Sequence, residues 1–188
     1  MKPALPVAAS SPLFGQGSGP AASAPPARPG AYLLLLNLST SLETQIGRWR
    51  QVAFDPGLYC YAGSALGPGG LAARLRRYAS GAGRPHWHID YLLPHAELLG
   101  ALAREDPQRL ECAWAAWVSS RAQATIRGFG SSDCACSGHL FLLGPATGAA
   151  AFIELAQREL AARWFPAPCT LTQRPPPDSR HRETQDWP

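Results

Sequence analysis

No apolar run in this sequence approaches the ~20 consecutive residues that a membrane-spanning helix needs, so no membrane partner is expected. The N-terminal stretch "KPALPVAASSPLFG" is broken by proline before a continuous hydrophobic region forms, and it is not read as a secretory signal. A disulfide framework is missing too. The five cysteines, Cys60, Cys112, Cys134, Cys136 and Cys169, are an odd count at irregular spacing. Free thiols in a reducing, cytoplasmic compartment are the simpler expectation. No internal repeat is present, which argues against solenoid and propeller architectures. With 188 residues there is room for one domain and little else.

What is present is a chain that is 46% hydrophobic, enough for a real core, with a formal net charge of +4 and a pI near 9.0. That mild basic excess favours a polyanionic partner without requiring one. Residues 1–29 and 166–188 are rich in proline and polar or small residues and carry no hydrophobic periodicity, so both are expected to be disordered tails around a folded part at 30–165.

Within the folded part, "AYLLLLNL" (31–38) reads as a buried strand and "GLYCYAG" (57–63) as a second, with Tyr59 and Tyr61 on one face. A glycine-rich turn leads into a helix at 71–80 carrying Leu71, Leu75 and Tyr78 on one stripe. "HIDYLL" (88–93) reads as a third strand. Asp106-Pro107 reads as the start of a helix that buries Leu110, Trp114, Trp117 and Val118. "GFGSSDCACSG" (128–138) is a loop, "HLFLL" a further strand or loop edge, and 149–165 a closing helix with Phe152, Leu155, Leu160 and Trp164 as core candidates. The fold class is α+β: a small antiparallel or mixed sheet flanked by helices.

Four groups of side chains carry potential chemistry. Arg74 flanks the buried face of its helix. Arg76, Arg77 and Arg84 add positive charge, with no acidic residue between Gly63 and Arg84, which suits a phosphodiester or simply makes a solvated basic face. Glu111, beside the core stripe, suits a hard divalent cation, or is an acid favoured by a helix N-terminus. His86, His88 and Asp90 alternate, so on a strand they share one face, where they touch phosphate, assist as an acid, or form a polar sheet edge. Cys134-x-Cys136-x-x-His139, beside Asp133, offers thiolate and imidazole ligands of the kind zinc takes, with a fourth from elsewhere such as His86 or His88. The alternative is thiols packed in a tight glycine loop. Cys60, Cys112 and Cys169 read as small core or surface residues. Trp87 is a candidate for base stacking.

The order of these segments resembles the GIY-YIG nucleases, and among them the relatives grouped as domain of unknown function 123. "GAY" (Gly30-Ala31-Tyr32) stands at the first motif and "YAG" (Tyr61-Ala62-Gly63) at the second. "LAARLRRY" resembles the helix bearing the family arginine, at Arg74, and "RLECAWAAWV" the helix bearing the metal-binding glutamate, at Glu111. "HWHIDYLL" and "GFGSSDCACSGHLF" resemble longer blocks of the nearer relatives. This chain differs in placing Tyr32 and Tyr61 29 positions apart, with "SLETQIGRWRQVAFDP" inserted between the strands.

The resemblance implies hydrolysis of DNA phosphodiesters with Mg²⁺ or Mn²⁺. Glu111 is implied as the metal ligand, Tyr32 or Tyr61 as the residue that deprotonates or orients water, and Arg74 as the stabiliser of the charge building on phosphorus. Two other expectations stand beside a metal-dependent nuclease. One is a nucleic-acid-binding module that keeps the fold without hydrolysis. The other is a zinc-stabilised interaction domain.

Overall fold

The computed structural model describes residues 24–81 and 84–167. Of the tails expected at 1–29 and 166–188, residues 1–23 and 168–188, with Cys169, lie outside the described residues. The elements run as β1 (Gly30–Leu38), β2 (Leu42–Ile46), β3 (Arg50–Phe54), β4 (Gly57–Ala65), α1 (Gly70–Ser80), β5 (Glu97–Glu105), α2 (Glu111–Ser119), β6 (Ala124–Thr125), β7 (Leu140–Gly144), α3 (Ala149–Leu160) and β8 (Arg163–Pro166). Two 3-10 turns, His88–Tyr91 and Leu93–His95, stand between α1 and β5. The class is α+β, as the sequence implies. Among the described residues no helix is long and apolar enough to cross a membrane.

Among the described residues six strands form one sheet in the order β6-β7-β4-β1-β5-β8, and every pairing in it is antiparallel. The strand at its centre, β1, is covered on both sides, which explains its unbroken apolar run. Tyr32, Leu34 and Leu36 pack with Tyr59, Tyr61, Leu71, Leu75 and Tyr78 on the α1 side. Ala31, Leu33 and Leu35 pack with Cys60, Trp114, Val118, Ala156 and Leu160 on the α2 and α3 side. The inserted segment between the motifs folds as a separate β2–β3 hairpin. Pro26 and Arg28 carbonyls accept the Ala72 and Leu71 amides of α1, each at 2.9 Å, so residues 26–28, expected as part of a tail, are held against the helix.

Three expectations are corrected. The segment 88–93 is not a strand. Asp90 Oδ2 accepts the backbone N–H groups of His86 (2.7 Å) and Trp87 (2.9 Å), and this local side-chain bonding competes with a ladder and closes a turn. Buried Ile89 and Leu92 then fall three residues apart, the spacing of a 3-10 turn. The helix after Asp106 starts later, at Glu111, because Asp106 Oδ1 accepts the Gln108 N–H (2.9 Å) and forms a turn first. The closing helix stops at Leu160, where Ala161 takes a left-handed φ of 50° and Arg104 Nη1 donates to the Leu160 carbonyl at 2.9 Å. Trp164 therefore lies on β8, opposite Leu102 of β5.

One central strand carries no strand signature in its sequence. β5 is built from "ELLGALARE", rich in good helix formers. It is extended because it lies beside β1, where tertiary context overrides propensity.

Candidate functional site

The β1–β4 register sets Tyr32 opposite Gly63 and Leu34 opposite Tyr61, so both tyrosines project toward α1. Gly63 is required there: a methyl group at that position would overlap the Tyr32 ring. The Tyr32 hydroxyl meets the Tyr78 hydroxyl of α1 at 2.8 Å. Arg74, one turn earlier on α1, faces the Tyr32 and Tyr78 hydroxyls, and its guanidinium lies 4.0 Å from the centroid of the Trp87 ring.

Burial dominates the chemistry of these phenols. It raises Tyr32 well above 10, with Tyr78 and Tyr61 adding to the rise and Arg74 opposing it. Burial likewise raises Tyr61 and Tyr78, again against Arg74. Burial works against the Arg74 cation, but the two tyrosines raise its pKa overall. At neutral pH the cluster is therefore three neutral hydroxyls beside one fixed positive charge. The tyrosines can donate to a phosphate oxygen or orient a water. They are not bases.

The turn at 86–91 braces this cluster. Besides its two backbone bonds, Asp90 pairs with Arg77, and the Arg77 guanidinium lies 4.8 Å from the Trp87 centroid. Trp87 thus has two arginines over its ring and serves them, rather than standing free for a base. His86 is exposed and meets Trp87 edge-on at 4.6 Å. His88 Nδ1 accepts the Gly130 N–H at 3.0 Å, and its ring stacks on Trp49 from the β2–β3 hairpin at 4.9 Å and 14°. The expected common strand face of His86, His88 and Asp90 is therefore lost: Asp90 holds Arg77, His86 meets Trp87, and His88 turns to Trp49 and Gly130. Arg76 lines an open groove of about 390 Å³ with Leu75, Leu98 and Phe165, and Arg84 is exposed.

A second cluster forms where α2 meets the 128–139 loop. The donor atoms of Cys112, Cys134, Cys136 and His139 all lie within 4.8 Å of one another. His139 Nε2 is 3.5 Å from Cys134 Sγ and 4.0 Å from Cys112 Sγ. A tetrahedral zinc with Zn–S near 2.3 Å holds its donors roughly 3.5–3.8 Å apart, so the set fits after a closure of about 1 Å. Without metal, burial and then hydrogen bonds to Cys136 and Cys134 push the Cys112 thiol up to about 12. Burial also raises Cys136 and lowers His139, leaving a neutral imidazole. This Cys₃His cluster could hold a metal. The fourth ligand expected from His86 or His88 is Cys112 instead.

Glu111 belongs to this second cluster. Its Oε1 accepts Arg109 Nε at 2.8 Å, its Oε2 is buried without a partner, and Arg109 Nη2 reaches Asp133 Oδ2 at 2.9 Å. Asp133 is lowered by its bond to Arg109. Among the described residues no hydrogen bond or ion pair joins Glu111 to Tyr32, Tyr61 or Arg74. Magnesium keeps several waters in an open octahedral shell. Here one oxygen is already held by a guanidinium and the other is sealed from solvent, so Glu111 does not fit as a magnesium or manganese ligand.

The structure thus joins Tyr32, Tyr61 and Arg74, adds Tyr78, Trp87 and Asp90, and bonds Glu111 to Arg109 rather than to any of these. Cys112, which reads in the sequence as a small core or surface residue, joins the other three donors only because α2 packs on the 128–139 loop. Residues 31–162 match the family described as Domain of unknown function DUF123. No curated protein and no solved structure gives a match.

Proposed function

The chain belongs to the DUF123 family, and from its site we propose a nucleic-acid-engaging domain of the GIY-YIG nuclease type, which takes a DNA phosphodiester at Tyr32, Tyr61, Arg74 and Tyr78. The observation that carries this reading is the Arg74 guanidinium set against two buried hydroxyls and stacked on Trp87. A planar cation held in one orientation matches phosphate geometry. Tyrosine hydroxyls beside it donate to the remaining oxygens or hold a water in line. Hydrolysis with Mg²⁺ or Mn²⁺ is what the resemblance implies. Since Glu111 does not fit that ion, no step is routed through it, and the chain's own residues account for binding and orientation.

The Cys112, Cys134, Cys136 and His139 donors suit zinc, which when bound would supply a closed tetrahedral cross-link. A zinc-stabilised interaction domain is the second reading, favoured by the position of Glu111 in that cluster.

Fluorescence anisotropy with labelled single-stranded, duplex and branched DNA tests the first reading. Arg74→Ala is expected to weaken the best-bound DNA roughly tenfold, or about 1.4 kcal/mol. It should also reduce the slope of log K against log salt by about 0.7–0.9. Arg76→Ala, in the groove away from Trp87, should leave affinity near wild type. Wild-type binding by Arg74→Ala would replace this reading with the interaction domain. Incubation with Mg²⁺ or Mn²⁺ separates cleavage from binding.

A further inference from the structure

We infer that the Cys₃His cluster governs the phosphodiester site through a rigid bridge made by Phe129 and Gly130, an inference that rests on the zinc and phosphodiester readings above. The bridge is short, since Gly130 precedes Cys134 by four residues. On one side it holds His88 through the Gly130 N–H, at 3.0 Å from Nδ1. That bond places the proton of neutral His88 on Nε2, leaving that nitrogen as a donor. On the other side Gly130 lies flat against Tyr61: its φ is +69°, and a Cβ there would stand 2.9 Å from Tyr61 Cε2. The Phe129 ring meets Tyr61 at 6.1 Å and His88 at 5.5 Å, both edge to face.

The cluster is bonded to this bridge directly. His139 N–H donates to the Phe129 carbonyl at 2.8 Å, and the His139 carbonyl accepts the Ala62 N–H at 2.9 Å, next to Tyr61. Residues 128–139 contain neither helix nor strand. Their three donors face a fourth, Cys112, carried by α2. Joining the four donors ties an irregular loop to a helix and removes the loop's freedom to open, which is folding free energy supplied locally. With the donors unjoined, the loop retains its few backbone bonds, and Gly130 and His88 can separate.

The test uses the full chain, stripped with a zinc chelator and then reloaded with zinc. The readouts are Gly130 amide exchange, His88 ring nitrogen shifts and anisotropy of a labelled single-stranded oligonucleotide. Stripping is expected to deprotect Gly130, release His88 to both tautomers and weaken the oligonucleotide roughly tenfold. Amides of β1 and β4 should stay protected, and zinc should restore all three signals. Gly130→Ala perturbs the bridge and replaces no ligand: its methyl would press on Tyr61 at 2.9 Å and stand at ordinary contact distance, 3.5 Å, from His139 Cβ. It should keep one equivalent of zinc and still bind the oligonucleotide more weakly, and it decides the matter if stripping unfolds the chain. Unchanged Gly130 exchange and His88 shifts in stripped, folded protein would overturn the inference, as would Gly130→Ala binding like wild type. A chain that takes up no zinc refutes the zinc assignment and the inference together. If Gly130 and His88 respond but wild type binds no oligonucleotide, the bridge stands and the phosphodiester reading falls.

Discussion

Replacing Asp90 tests the site at its most connected point. One carboxylate oxygen, Oδ2, receives the His86 N–H at 2.7 Å, the Trp87 N–H at 2.9 Å and the Arg77 guanidinium. Hydrogen bonds to a charged group contribute about 1.5–3 kcal/mol each and are not additive when they share an acceptor. His86 is exposed and its freed amide is rehydrated, whereas Trp87 is half-buried and recovers less. Asp90→Ala is therefore expected to cost about 3 kcal/mol. Asp90→Asn keeps an acceptor but loses the charge, and should cost about half of that. For a folded part of this size each kcal/mol lowers Tm by about 3–5 °C, so Asp90→Ala should melt about 9–15 °C below wild type. Thermal and urea unfolding followed by circular dichroism measure both variants. A double-mutant cycle with Arg77→Ala separates the ion pair from the backbone bonds. If Asp90→Ala melts within about 2 °C of wild type, the carboxylate does not hold the turn and the bracing of Trp87 and Arg74 is wrong.

Purified protein should carry close to one equivalent of zinc by elemental analysis. Cys112→Ser should lose it and melt lower, whereas retention would remove α2 from the ligand set. Gly63→Ala forces a methyl into the Tyr32 ring and should cost about 1–3 kcal/mol in urea titration, and a neutral result would mean that the ring lies elsewhere. Burial holds His88 below its ordinary 6.5, so the unfolded chain binds its proton first as pH falls. That stability is fully present above 6.5 and is lost as pH drops through the depressed folded value. Melting followed from pH 7 downward should show this loss, and His88→Gln should show less of it.

Much of the framework was legible along the chain. The run at 31–38 and the alternation of Tyr59 and Tyr61 announce two strands, and Leu71, Leu75 and Tyr78 announce a helix, because burial periodicity is a local property. The motif glycine at 63 and the arginine at 74 fall together for the same reason: each is placed by the element that carries it. The failures share the opposite cause. The 88–93 segment has a strand's composition, but one carboxylate bonds its own backbone and closes it into a turn. β5 has a helix's composition, but the open edge of β1 extends it. Cys112 is 22 positions from Cys134 and reads alone as a small core residue. Glu111 reads as a metal-binding acid. Packing α2 and the 128–139 loop against β4 gathers three thiols and an imidazole, and it leaves Glu111 beside them, bonded to Arg109. Spacing along a chain places a side chain on its own helix or strand, whereas a ligand set is made by contacts between elements, and those depend on how the whole sheet is covered.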